Sequence, residues 1–175
     1  MVFVGDMSDL FHEGRPDEII DRVCATLAIS DHIGLLLTKR TERLAEYFTK
    51  QQPRTVRLWR QRLWLGFSAE RQREFDQRWL DMRALADAGW FVFVSIAPML
   101  GQVTLPPDFV ALGPRTWVIV AGEQGPHARC RSMDPQWARH VRDQCIKAGI
   151  PFFMKQMAKG APIPPDLQIR KFPSV

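Results

Sequence analysis

The sequence predicts an α/β protein: a partial, TIM-like (β/α) barrel of about six parallel strands. Short runs rich in Val, Ile, Leu and Phe alternate with longer stretches of helical periodicity. The runs are apolar on both faces, as strands covered on both sides must be, and the helices between them supply the crossovers of a parallel sheet. The doubly wound alternative is weakened because neither a GxGxxG fingerprint after the first run nor a P-loop is present.

The first run, Val2-Phe3-Val4, precedes a helix expected from about Pro16 to Ala28. Pro16 suits its first position, Asp17 and Glu18 complement the positive helix end, and Ile19, Ile20, Val23 and Leu27 form an inward stripe. Gly34–Thr38 follows, then a helix expected to be capped by Thr41 and to bury Leu44, Tyr47 and Phe48. The third run, Leu63–Phe67, leads into a helix carrying Phe75, Trp79, Met82 and Leu85, with Ser68 as its expected cap. Phe91–Ser95 comes next, followed by a loop rich in Pro and Gly. Trp117–Ala121 precedes a helix capped by Asp134, started by Pro135 and ended by Gly149, and Pro151–Lys155 is the last run.

A chain of 175 residues, 46% hydrophobic and 25% charged, is expected to form a single domain over 1–175, with a Pro-rich extended tail over 160–175. No run approaches the roughly 20 apolar residues of a membrane-spanning helix, so no membrane partner is expected. The three cysteines, Cys24, Cys130 and Cys145, lack metal-ligand spacing, so no metal site is expected. Cys24 and Cys145 read as buried hydrophobes, Cys130 as a loop cysteine, and the compartment as the reducing cytoplasm.

The net charge of +5 is unevenly spread. Arg54, Arg57, Arg60 and Arg62 interleave with Trp59 and Trp64 and include no acid, a pattern that suits phosphate neutralisation with base stacking. The same residues also suit a solvated connector whose arginine stems cover apolar surface.

Ligands of parallel α/β folds bind at the carboxyl ends of the strands, and polar residues gather there in this sequence. Asp9 and His12 follow the first run, Thr38 and Lys39 the second, Ser68 the third, Ser95 the fourth, Glu123 the fifth, and Lys155 and Gln156 the sixth. A strand-end lysine needs a partner or an opening to water. Glu123 is the expected partner of Lys155 and the pair the leading site; the duller alternative is that Glu123 pairs with a neighbouring arginine. Glu123, Lys155 and His12 are the candidate catalytic groups; Asp9, Thr38, Lys39, Ser68, Ser95 and Gln156 are candidate ligand-binding groups. Asp9 and His12 could instead cap a turn.

Taken in order, these segments resemble a family of phage and prophage three-cysteine-motif proteins related to radical S-adenosylmethionine (radical SAM) enzymes. The resemblance rests on Phe3 to Glu13, Leu37 to Arg40, Trp64 to Glu70, Val94-Ser95 with Pro98 to Gly101, Trp117 to Glu123 with Gly125-Pro126, and Pro151 to Gln156. Pro164 to Leu167 with Phe172-Pro173 matches the family's end. It implies a partial barrel with a site at the strand carboxyl ends. It also implies that an N-terminal strand and the loop bearing the family's cysteine cluster precede the segment at which this sequence starts, so both are expected to be missing here. Ala97 stands where the family usually has Glu, Met157 where it tends to have Trp, and Ala121-Gly122-Glu123 replaces a glycine-glycine-glutamate run.

The resemblance therefore implies a truncated radical-SAM-like protein that keeps binding residues without cluster chemistry. No cofactor is expected in this chain; S-adenosylmethionine and a [4Fe-4S] cluster enter only if the missing segment is supplied. In complete relatives the substrate would be a nucleic-acid base or a nucleotide. The alternatives are a nucleic-acid- or partner-binding module using Arg54 to Trp64, and a small hydrolase or lyase using Glu123 and Lys155. The first strand is expected to present an open edge that favours self-association.

Overall fold

The computed structural model describes residues 1–5, 8–126 and 129–174. The strands are β1 (Val2–Val4), β2 (Gly34–Thr38), β3 (Leu63–Ser68), β4 (Val92–Ile96), β5 (Thr116–Ala121) and β6 (Phe152–Gln156). The helices are α1 (Asp17–Ala28), α2 (Thr41–Thr49), α3 (Pro53–Trp59), α4 (Gln72–Asp87), α5 (Pro107–Val110) and α6 (Pro135–Ala148). The strands are ordered β1-β2-β3-β4-β5-β6. Parallel registers join Val2 to Gly34, Gly34 to Leu63 and Val118 to Phe152. Contacts divide the chain into two compact units, Met1–Phe67 with Arg78–Val92, and Ser68–Gln77 with Phe93–Val175.

In the first unit, α1 buries Ile20, Cys24 and Leu27, and α2 buries Leu44, Tyr47 and Phe48. Gly34 lets α1 approach β2, because a Cβ there would lie 2.6 Å from Leu27 Cδ1. Tyr47 stacks on Trp59, and Phe48 meets Trp59 and Trp90 edge-on. Pro16 occupies the cap position just before α1 rather than its first turn. Thr41 is the first residue of α2, not its cap. Its hydroxyl donates to Asp81 Oδ2 at 2.6 Å, a tie to α4 that local capping logic cannot foresee.

In the second unit, Asp134 caps α6 by accepting the Gln136 N–H at 2.8 Å, and Gly149 closes the helix in the left-handed region at φ 69°. The loop after β4 is held by side-chain amides that imitate a neighbouring strand. Gln72 bonds both the N–H and the C=O of Thr104, at 2.6 and 2.9 Å, while Gln144 takes the Leu105 N–H at 2.8 Å. The tail covers the outer edge of β6 through an antiparallel bridge between Phe153 and Arg170. Trp117 Nε1 fixes it further by donating to the Lys171 carbonyl at 3.0 Å.

Candidate functional site

In the first unit the Asp9 carboxylate is fully engaged. Thr38 Oγ1 donates to both its oxygens at 2.8 and 2.9 Å, the Phe11 N–H to Oδ1 at 2.9 Å, and Arg40 Nη1 to Oδ2 at 2.9 Å. Thr38 Oγ1 also accepts the Arg40 N–H at 2.9 Å. Asp9 and Thr38, two expected ligand residues, are thus brought together as the pin that ties the loop after β1 to the end of β2. Arg40 extends the network to Glu13 at 3.1 Å, and that hydrogen bond holds the Glu13 carboxyl below its ordinary range.

His12 is exposed, and its Nδ1 accepts the Gly14 N–H at 3.1 Å within its own turn. Its carbonyl accepts from Arg43. These contacts match the turn-holding reading of His12. Lys39, just after the end of β2, is also exposed.

In the second unit the strand ends are stitched laterally. The Ala69 N–H donates to Ser95 O at 2.9 Å, Leu100 to Glu70 O at 2.8 Å, Met99 to Ala121 O at 2.8 Å, and Gly122 to Gln156 O at 2.9 Å. The Gln156 amide returns a bond to Gly122 O at 3.1 Å. Ser68, Glu70 and Ser95 are all buried on this rim. Gly122 is required by contact: a Cβ there would stand 2.1 Å from Ala158 N and 2.6 Å from its Cα.

Glu123 follows Gly122 and binds Arg131, not Lys155. The Arg131 backbone N–H, Nε and Nη2 reach its carboxylate at 2.7, 3.0 and 2.6 Å. Those bonds, side chain first and backbone second, pull the Glu123 carboxyl down to about 2. They also raise the Arg131 guanidinium, to which the charge of Glu70 adds a smaller contribution. Lys155 lies exposed, out of phase with the buried Phe152 and Met154, so it meets its charge with water and the expected Glu123–Lys155 pair does not form. Ser68 ends β3 and is not a helix cap, since α4 starts at Gln72.

The basic stretch also differs from expectation. Trp59 and Trp64 are only 6% and 1% exposed, so neither indole offers a stacking face. Arg60 lies over Trp90 at 5.5 Å as a cation–π contact. Arg54 and Arg57 are exposed on α3 and Arg62 is half-buried. This is the geometry of the connector reading.

Glu70 and Arg131 were not among the expected site residues. Glu70 did stand in a strand-end segment, and an arginine near Glu123 was an open alternative, so weak signals for both existed.

A [4Fe-4S] cluster requires converging thiolates, but Cys24, Cys130 and Cys145 are all buried free thiols. Burial pushes Cys24 and Cys145 up to about 12, away from the thiolate form that binds metal. Among the described residues no group of three His, Cys, Asp or Glu side chains could hold a metal ion. The described residues do not fit a cluster.

The geometry defines an α/β protein of parallel strands and crossover helices, with charged and buried hydroxyl groups at its strand ends. Over residues 1–164 the chain matches the family described as protein of unknown function DUF5131, and it belongs to that family. No curated protein and no solved structure matches it. Among the described residues no helix is long and apolar enough to cross a membrane.

Proposed function

We propose, against the sequence expectation of no cofactor in this chain, that the rim of the second unit by itself binds the amino-acid end of S-adenosylmethionine, in a cytoplasmic protein of phage or prophage origin related to radical SAM enzymes. The observation that carries this reading is Arg131, chelated by Glu123 and within electrostatic reach of Glu70. An acid–guanidinium–acid arrangement offers partners to both charges of a zwitterion, the guanidinium to a carboxylate and the carboxylates to an ammonium. Ser68 lies two residues before Glu70, and Ala69 bonds the carbonyl of Ser95, so two buried hydroxyls belong to the same rim. Arg131 is 55% exposed and can therefore meet a ligand from water.

The ordered strand-end segments support the kinship, and the strictly consecutive strand order supports reading the sheet as part of a (β/α) barrel. A doubly wound sheet reverses its order at a switch point instead. Reductive cleavage of the sulfonium is not part of the proposal, because the three cysteines lack the clustered spacing that a [4Fe-4S] centre needs.

Calorimetric titration of the purified chain with S-adenosylmethionine tests the reading. Saturable one-to-one binding is expected, shared by S-adenosylhomocysteine, which carries the same zwitterion. Arg131→Ala and Glu123→Gln should each weaken it by about tenfold or more. An absence of saturable heat, or affinity indifferent to both substitutions, overturns it.

A further inference from the structure

We propose that a cleft at the amino-terminal ends of β5 and β6 binds a small amphipathic anion, an apolar body bearing one carboxylate head. The cleft lies wholly within the second unit, at the opposite end of these strands from Glu123, and the inference does not depend on the reading above.

The cavity measures about 480 Å³, within the roughly 300–1,000 Å³ of small-molecule sites. Its walls are Ile146 of α6, Ile150 and Phe152 at the entry to β6, and Ile169 and Phe172 of the tail. Gly149 opens the space: it turns the chain out of α6, and a Cβ placed on it would meet nothing within 4 Å. The tail wall is fixed in place. Met154 N–H donates to Ile169 O at 2.8 Å, and Lys171 N–H to Phe152 O at 3.0 Å. Phe172 packs at 5.2 Å from Phe153 and 5.5 Å from Trp117. Ile146 and Phe172 remain 61% and 53% exposed, and covering them would return about 25 cal/mol for each Å² of apolar surface.

The sign of the ligand follows from the charged lining. Lys171 is the single ionisable side chain among the described residues that line the cleft, apart from the thiol of Cys145. Burial pushes that thiol up to about 12, so it is a neutral wall. The end of α6 would ordinarily repel an anion, but two of its last four carbonyls are occupied. Cys145 O accepts the Ile150 N–H at 2.9 Å, and Ile146 O the Gly149 N–H at 3.2 Å. The head therefore belongs at Lys171 and the apolar body along α6.

Decanoate below its micellar concentration is the probe, titrated calorimetrically into the full chain. One saturable site is expected, with decanol bound more weakly because it lacks the charge. Lys171→Glu and Ile146→Glu change exposed side chains, should leave the melting temperature unaltered, and should each weaken decanoate by about tenfold or more. Arg131→Ala should not affect it. No saturable binding, equal binding of decanol, or affinity unchanged in both variants overturns the proposal. So does sedimentation showing a concentration-dependent dimer abolished by Ile146→Glu, which would make a second copy the occupant.

Discussion

Arg131 grips the Glu123 carboxylate from three directions, through its backbone N–H at 2.7 Å, Nε at 3.0 Å and Nη2 at 2.6 Å. Every bond favours the ionised acid, so the carboxyl falls to about 2 in the fold, against about 4.3 in an unfolded chain. A depressed acid contributes stability that is fully present above the unfolded value and is lost as pH falls from about 4.3 towards 2. An NMR titration of the Glu123 carboxyl should show its midpoint near the bottom of that window. In Arg131→Ala the midpoint should return to about 4.3; a wild-type midpoint already there would mean the pair does not form in solution.

At Gly122 the chain after β5 lies against the backbone of Met157 and Ala158, just after β6. An alanine there would push its methyl against backbone at 2.1 Å, and a backbone cannot swing aside as a side chain can. Gly122→Ala should therefore cost about 3 kcal/mol, the upper end of ordinary overpacking. Thermal melts would read this as a drop of several degrees. Gly149→Ala is a useful contrast: its Cβ meets nothing, and only the left-handed φ of 69° penalises it, by about 1 kcal/mol.

Asp9 accepts from Thr38, Phe11 and Arg40, which makes it a structural anchor whatever else it binds. Thr38→Val keeps the shape of a buried side chain but removes the hydroxyl that serves both carboxylate oxygens and accepts from Arg40. A loss of about 1–3 kcal/mol is expected in chemical denaturation, with the slope unchanged. Asp9→Asn should cost as much or more, because it removes the charge that Arg40 answers. Full stability in both variants would leave Asp9 available as a ligand group.

The strands were legible because a run apolar on both faces announces itself without knowledge of its partners; Gly34–Thr38 has the same limits in the sequence and in the fold. Other features depended on distant residues. Ser68 after an apolar run looks the same as a helix cap or as a strand end, and only a β3 running on through it, with Ala69 bonding Ser95, decides the matter. The seven residues of α3 carry no helical signal in the sequence because the helix buries itself through Trp59 alone, too little to set a period. A run that ends at Lys155 makes it a strand-end group facing Glu123. The strand continues to Gln156, and its alternation turns Lys155 outward. Arg131 lies eight residues beyond Glu123, across a loop whose path no periodicity records.

The remaining positive face of α3 makes a narrow prediction about nucleic acid. Arg54 and Arg57 are exposed, but the indoles beside them are in the core. Any affinity for single-stranded DNA should then be purely electrostatic. It should fall steeply with salt, disappear in the Arg54→Ala/Arg57→Ala double variant, and leave tryptophan fluorescence unquenched. Quenching on addition of oligothymidine would show that an indole does stack, against the burial of Trp59 and Trp64.

Phe3 gives β1 a different kind of exposure. The strand pairs with β2 at Val2, Phe3 and Val4, and it stands last in the strand order on that side. Val2 and Phe3 are 39% and 43% exposed. A terminal strand with open amide groups and apolar side chains is a template for pairing with another chain. The purified protein should therefore show a scattering mass that rises with concentration. A lysine at such an edge is the usual protection, since a second strand would have to bury its charge. Phe3→Lys should abolish the rise without lowering the melting temperature, because the side chain it replaces already stands partly in water. A mass constant across the concentration series in the unsubstituted protein would show instead that three residues are too short a template to hold a partner.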